Sequence, residues 1–354
     1  MKPALRQVGV VFGRELRKTF FARRGLWIYL LAAAPFLLFF GYTIQNKIEA
    51  RQRLAWASEQ QKPLAAADFA TIQRGMTESD VQARLGNPAR RMMFLRRRRA
   101  ANDQIQFVQN EWLRYSDGSG LYYIVIQDGK VVRVQTRPAP TLGDLNLLFA
   151  TVFQFFYLRL AVFFGCLGIF MNLFRGELLD KSLHFYFLAP VRRELVLAGK
   201  FLAGLAASVV IFAGSAALQL ALLGRVGGQG LGHFGAYLGV TALACLGYGA
   251  VFLAAGLMFK NPIAPAVALL LWESLAPFLP AMLKKLSVIY YLTQLCPVSV
   301  ASGPGTSPIF ALLVSAPDPI SRAAALVGLL LLAALVLAYS ARRVRRLEID
   351  YTSE

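Results

Sequence analysis

GLWIYLLAAAPFLLFFGYTI, residues 25–44, carries no charged side chain at any position. A helix rises 1.5 Å per residue, so about 20 apolar residues cross the roughly 30 Å of a bilayer's hydrocarbon. This stretch meets that requirement. Arg14, Arg17, Lys18, Arg23 and Arg24 stand just before it, and basic residues beside a span mark its cytoplasmic end. The reading of the chain therefore starts from a first transmembrane helix that leaves the cytoplasm near residue 25.

Five further blocks pass the same test. They cover residues 145–174, with one charge, Arg159; 201–224; 234–259; 261–283, with one acid, Glu273; and 323–341, which is stopped by RRVRR. Residues 286–317 are also uncharged but are interrupted by Pro297, Gly303, Pro304, Gly305 and Pro308. Counting them as a seventh span would place Arg342, Arg343, Arg345 and Arg346 opposite the first basic cluster, against the positive-inside rule. They are expected to fold back on the outer face, buried against protein. Six spans put both termini inside, and Arg175, Lys181, Arg192, Arg193, Lys200 and Lys260 then fall on the cytoplasmic side as well.

The expected fold is an all-α polytopic membrane protein with six transmembrane helices and a small α+β external domain inserted between helices 1 and 2. Its parts are a cytoplasmic amphipathic helix (1–24), helix 1 (25–44), the external domain (45–144), helices 2–6 (145–341) and a cytoplasmic tail (342–354). A cytoplasmic segment at 175–196 and the re-entrant stretch at 286–317 lie within the helical part. The lead before the first span is too long for a cleaved signal peptide, and no A-x-A site follows it.

Composition agrees. Of 354 residues, 56% are hydrophobic, and the mean hydropathy is +0.50, above what a water-facing surface allows. The net charge of +19 lies largely beside apolar blocks, where it matches anionic lipid headgroups rather than nucleic acid. Cys166, Cys245 and Cys296 form no CxxC pair, so neither a disulfide framework nor a zinc site is indicated. His184 and His233, the two histidines, fall on opposite sides of the membrane, which excludes a shared metal or a histidine triad.

Ahead of the first span, Leu5, Val8, Phe12, Leu16 and Phe20 recur at helical spacing, and Arg6, Arg14, Arg17 and Lys18 take up other faces. An amphipathic helix of this kind lies in the inner headgroup layer. It is either a plain interfacial anchor or an elbow helix, with Phe12, Arg14 and Glu15 positioned to touch a cytoplasmic partner.

Between the second and third spans runs FRGELLDKSLHFYFLAPVRRELVLAGK, residues 174–200. A tight turn needs only a few residues. This segment has room for a short helix with the acids Glu177 and Asp180, an apolar set at Leu179, Leu183 and Tyr186, and a stop at Pro190, followed by Arg192 and Arg193. A helix held between two spans is the mechanical part that carries a partner's movement into the membrane.

In this segment the chain resembles the permeases of the type-2 ABC transporter family. A Gly-Glu after the second span, a leucine-rich short helix, a Pro-x-Arg and a Gly-Lys opening the third span recur there together. The matching residues are Gly176, Glu177, Leu183, Leu188, Pro190, Arg192, Gly199 and Lys200. The lead FGRELRKTFFARRG is similar to that family's N-terminus. The resemblance implies a coupling helix that docks on a nucleotide-binding ATPase subunit, and a second permease copy or homologous permease. No GxxxxGK[ST] phosphate loop is present, so ATP and Mg belong to the partner subunit and this chain is expected to be non-catalytic.

Residues 45–144 are polar and rich in turns. After a helical lead, Thr77 and Asp80 flank the start of a helix with Val81 and Leu85 on one face, closed by Gly86 and Pro88. LYYIVIQDGKVVRVQ then alternates around Asp128-Gly129, the signature of a hairpin. This order resembles the small lipoprotein of the outer-membrane barrel-assembly machinery, of BamE/SmpA type. The resemblance rests on Gly75, Met76, Thr77, Val81, Leu85, Gly86, Pro88, Trp112, Tyr115, Asp128, Gly129 and Lys130, and it implies an interaction module with a periplasmic partner. Arg96, Arg97, Arg98 and Arg99 are read as a solvated loop, or as a contact for anionic lipid or an acidic partner.

Arg159 and Glu273 fall near mid-depth of the second and fifth spans. Intramembrane charges pair or face water, so these two form an ion pair, line a translocation path, or reach water separately. The leading functional reading is an exporter permease in a bacterial inner (cytoplasmic) membrane. Two alternatives of other classes stand beside it: an envelope assembly or sensing protein working through its external domain, and an ion-coupled secondary transporter using Arg159 and Glu273.

Overall fold

The computed structural model describes residues 3–21, 25–60, 62–99, 105–179, 192–227, 230–259, 261, 263–298, 300 and 320–345. Two compact units emerge, one from residues 1–40 and 142–354, the other Gly41–Thr141.

The first unit is helical. α1 (Pro3–Phe21) is followed by α2 (Leu26–Glu59), whose residues up to Phe40 belong to this unit. α5 (Leu142–Thr151), a π-helical stretch (Val152–Val162) and α6 (Phe163–Leu179) run on as one rod. α7 (Arg193–Gly227), α8 (Phe234–Met258), α9 (Ile263–Leu275), α10 (Ala281–Lys284), α11 (Val288–Leu295) and α12 (Arg322–Arg345) complete it. α8 is the hub, with α6, α7, α11 and α12 packed around it. Its core residues Tyr248, Phe252 and Leu253 are almost fully enclosed.

The outward faces are apolar. Leu30 (71% exposed) and Leu37 on α2, and Leu331 and Leu335 on α12, are largely exposed. The most apolar stretch of α12 is only 22% buried. Side chains of this type at this exposure require hydrocarbon around them. The chain is a multi-pass membrane protein.

Among the described residues, five helices are long and apolar enough to cross: Leu26–Glu59, Gly143–Leu173, Arg193–Arg225, Phe234–Met258 and Arg322–Arg345. The expected span at 261–283 differs. Its helix covers only Ile263–Leu275, about 20 Å at the helical rise. A short 3-10 turn at Ala276–Phe278 follows, where Pro277 and Pro280 withhold backbone donors. Glu273 therefore stands near the end of a short helix rather than in the middle of a long one. The stretch expected to fold back, 286–317, holds α11 near its start; residues 299 and 301–319 lie outside the described residues.

The second unit takes in the distal half of α2, α3 (Ala66–Ala70), α4 (Glu78–Leu85) and an antiparallel sheet in the order β1-β2-β3-β4. The strands are β1 (Arg90–Arg99), β2 (Ile105–Ser116), β3 (Gly120–Gln127) and β4 (Lys130–Pro138). Thr77 and Asp80 close a capping box on α4, and Gly86 ends it at φ 79°, a conformation open to glycine. Val81 and Leu85 face Leu113, Tyr115, Tyr122, Ile124 and Val131 in one core. The β3–β4 hairpin turns at Asp128 (φ 50°) and Gly129 (φ 75°), the paired left-handed conformation of a two-residue turn. Arg96–Arg99 do not form the expected loop. They continue β1 and pair with Val108, Phe107, Gln106 and Ile105, because the β1–β2 ladder runs past the point where β3 begins to pair at Asn110.

Candidate functional site: the cytoplasmic junction and the intramembrane polar groups

α1 presents Val8, Val11, Phe12, Glu15 and Leu16 towards protein, while Arg6, Arg14, Arg17 and Lys18 point outward. It lies along the start of α7. Gly199 permits that approach: a Cβ there would meet Val11 Cβ at 2.9 Å and the Val8 carbonyl oxygen at 3.2 Å. One residue on, Lys200 is fully enclosed and Glu15 is 3% exposed along its side chain. Lys200 Nζ donates to Glu15 Oε1 at 2.8 Å and to the Leu173 carbonyl oxygen at 2.9 Å. A single ammonium thus joins α1, α6 and α7, and it does so at both feet of the segment 174–199.

Of the residues assigned to ATPase coupling, Gly176, Glu177 and Leu179 lie in the last turn of α6. Asp180, Leu183, Tyr186 and Pro190 lie outside the described residues. Arg192 is exposed just before α7. Arg193 opens α7 and donates to the Arg345 carbonyl oxygen at 3.3 Å, while Glu194 pairs with the Arg345 guanidinium. The foot of α7 is therefore tied to the end of α12 as well as to α1. Of the elbow-helix residues, Phe12 is half-buried, Arg14 is exposed and Glu15 is enclosed.

Inside the helical unit, Arg159 and Glu273 are not bonded to each other. Glu273 Oε2 accepts from Ser287 Oγ at 2.6 Å and from the Ile289 amide at 2.9 Å, and Oε1 accepts from the Val288 amide at 2.9 Å. The carboxylate thus satisfies amides at the start of α11, where orphan donors and the helix dipole favour a negative charge. Arg159 holds its guanidinium carbon 5.1 Å from the centre of the Phe155 ring. Sequence alone did not reveal the Ser287–Ile289 cap, since it spans a loop of irregular backbone.

An apolar crevice of about 530 Å³ opens between α8, α9 and α12, lined by Val251, Met258, Leu269, Leu335 and Tyr339 among others. In the second unit, a groove of about 610 Å³ carries Trp112, Arg114, Tyr123, Arg133 and Arg137. No group of three or more metal-binding side chains occurs among the described residues.

The Glu15–Lys200 contact could have been suspected from sequence. Glu15 lies four residues after Val11 and three after Phe12, so it interrupts the apolar stripe of α1. A charge on such a face needs a partner, and the Gly-Lys pair opening the third span supplies it.

No curated protein matches the chain. A family model described as "ABC-2 family transporter protein" matches residues 10–295, which takes in the larger part of α1, the second unit, the hub helix α8 and α11. The match covers most of the chain, and with the multi-pass helical unit it assigns the protein: the chain belongs to the ABC-2 transporter family.

Proposed function

We propose that the chain is the membrane-spanning permease of an ATP-binding cassette exporter, driven by a separate nucleotide-binding subunit that holds ATP and Mg. The observation that carries this reading is the placement of Lys200. It fixes Leu173 and the start of α7, the two ends of the segment 174–199, against α1. A loop with both feet anchored to rigid helices passes a push at its tip into the spans, whereas a loosely tethered one absorbs it. Family membership supports the same reading, because ABC-2 permeases work with an ATP-binding subunit.

In this reading the segment 175–196 is the coupling element, and Glu177, Leu183 and Tyr186 meet the partner. Two permease copies, or two related permeases, form the path. Both termini face the cytoplasm of a bacterial inner membrane, and residues 45–144 face the periplasm, where the BamE/SmpA-like unit takes a periplasmic partner. The apolar crevice between α8, α9 and α12 favours hydrophobic cargo.

The test is the double variant Glu177→Arg with Leu183→Asp. It is expected to insert as wild type, while ATP hydrolysis by the associated subunit no longer drives flux. Unchanged ATP-driven flux in that variant contradicts the proposal.

A further inference from the structure

β4 is an edge strand of the sheet in the second unit, and only its start is covered. Val131 donates its amide to the Met76 carbonyl oxygen at 2.8 Å and accepts from the Gly75 amide at 2.8 Å. Thr77 forms a bridge with Lys130. The segment 75–77 thus lies along β4 as a short added strand and goes no further. In the β3–β4 ladder Ile126 pairs with Val131; Val132 is then passed over, and Ile124 pairs with Val134 and Tyr122 with Thr136. Antiparallel pairs alternate between bonded and non-bonded, so Val134 and Thr136, like Val131, turn their amides and carbonyls away from β3. The alternation is fixed at the far end, where the Ala139 amide donates to the Ser119 carbonyl oxygen at 3.0 Å. Among the described residues the outward backbone groups of Val134 and Thr136 have no hydrogen-bond partner.

This open stretch borders the groove of about 610 Å³, which all of residues 133–137 line together with Trp112, Arg114 and Tyr123. Trp112, Val125 and Arg133 form one row across the strands, and Arg114, Tyr123 and Gln135 the next. Paired residues share a face, so Arg114, Arg133 and Arg137 stand together on the face turned away from the core. No acid lines the groove. Arg114 sits 5.2 Å from the centre of the Tyr123 ring. Among the described residues, Glu49, 3.7 Å from Arg137, is the one carboxylate paired with any of the three.

An unpaired strand edge is a template for another extended chain. Main-chain bonds hold such a chain, and its alternate side chains meet one face of the sheet. Here that face carries guanidinium groups at Arg133 and Arg137, which match carboxylates on every second residue of the incoming strand.

We propose that residues 133–137 take an extended acidic segment of a partner protein as an added β-strand, its carboxylates set against Arg133 and Arg137. This gives the chemistry of the partner proposed for residues 45–144 and rests on that reading. A second copy of this chain fits the edge badly: its β4, laid antiparallel across Gln135, would oppose the Arg133 and Arg137 of the two copies.

The test measures binding of end-capped peptides to the full chain in neutral detergent. TEVEVET is expected to bind about tenfold more tightly than TQVQVQT. Arg133→Glu is expected to bring the two within about twofold. Thr136→Pro removes an outward amide without touching the β3–β4 ladder, and is expected to weaken TEVEVET about tenfold. Two further peptides carry TEVEVET's N-methyl groups on alternate residues, one set in each; one of the two is expected to lose binding. Absent binding of TEVEVET overturns the proposal, as does equal binding of TEVEVET and TQVQVQT. Undiminished binding of both methylated peptides overturns it too, since the groove then gathers anions, lipid headgroups included, without pairing strands. A dimer that Thr136→Pro dissociates gives the edge to a second copy and overturns it equally. If Thr136→Pro does not purify as a monodisperse protein, the methylated peptides decide. Strand binding combined with cytoplasmic labelling of residues 45–144 sinks the periplasmic reading and leaves the strand site; no binding with those residues labelled outside sinks the strand site alone.

Discussion

Lys200 Nζ lies 2.8 Å from Glu15 Oε1, and neither side chain reaches solvent. A buried pair contributes little net stability, because desolvation offsets the Coulomb attraction, yet removing one partner strands the other. Glu15→Ala and Lys200→Met are each expected to destabilise the helical unit by about 3–5 kcal/mol. The double variant Glu15→Leu with Lys200→Met is expected to recover most of that loss. Thermal unfolding of the full chain in detergent, compared across the three variants, checks this; a double variant less stable than either single one contradicts it.

Gly199 sets how closely α1 approaches α7. Gly199→Leu places a side chain where Val11 Cβ and the Val8 carbonyl stand, so α1 must lift and the Glu15–Lys200 bond must lengthen or break. Protease cleavage within residues 3–21 is expected to become several times faster than in the wild type, since protection follows the free energy of local opening. Equal cleavage rates would show that α1 does not depend on this contact.

Glu273 is predicted to act as a cap on α11. Glu273→Ala leaves the amides of Val288 and Ile289 and the Ser287 hydroxyl without their acceptor, and unsatisfied buried donors cost about 1–3 kcal/mol each. Hydrogen exchange at 288–292 should accelerate markedly in Glu273→Ala and less in Glu273→Gln, which keeps one acceptor oxygen. Exchange unchanged in Glu273→Ala would remove the capping role.

The second unit should lose stability in acid. Burial tends to raise the Asp117 pKa, but hydrogen bonds from the Gly120 and Ser119 amides, Ser119 Oγ and Tyr122 Oη outweigh it and hold the carboxyl below its ordinary value of 3.8. Asp80 is lowered too, chiefly by the Thr77 hydroxyl and amide. A carboxylate whose folded pKa is depressed stabilises the fold above its unfolded pKa, and that stabilisation disappears as pH falls through the folded value. The loss therefore begins below about pH 4. The Tyr122 hydroxyl, pushed up to about 12 by burial and by its bond to Asp117, adds stability that is full below about pH 10 and lost as pH rises through the folded value. Tyr122→Phe removes one donor from Asp117, so its acid midpoint should move upward. Intrinsic fluorescence of the full chain across pH 2–7 checks the shift; an unmoved midpoint would deny the Asp117 network a role.

Sequence patterns resolved some of these features and missed others for physical reasons. The amphipathic α1, the capping box at Thr77 and Asp80, and the Asp128-Gly129 hairpin were legible because each is specified by residues within a few positions of one another. Arg96–Arg99 misled because charge favours a loop locally, whereas the β1–β2 ladder extends through them. The block 261–283 was uncharged enough to pass for a span, and Pro277 and Pro280 divide it. Glu273 bonds to Ser287, Val288 and Ile289 across a break in the helix, a relation that no periodic pattern encodes. The π-helical stretch has the composition of an ordinary span and leaves no trace in residue type.

The most direct measurement of the central claim is purification of the chain from its native host in gentle detergent, followed by identification of bound chains and assay of ATP hydrolysis. The account predicts a stoichiometric ATP-hydrolysing subunit whose hydrolysis no longer drives flux when Glu177→Arg and Leu183→Asp are introduced together. A complex that contains no ATPase would contradict it.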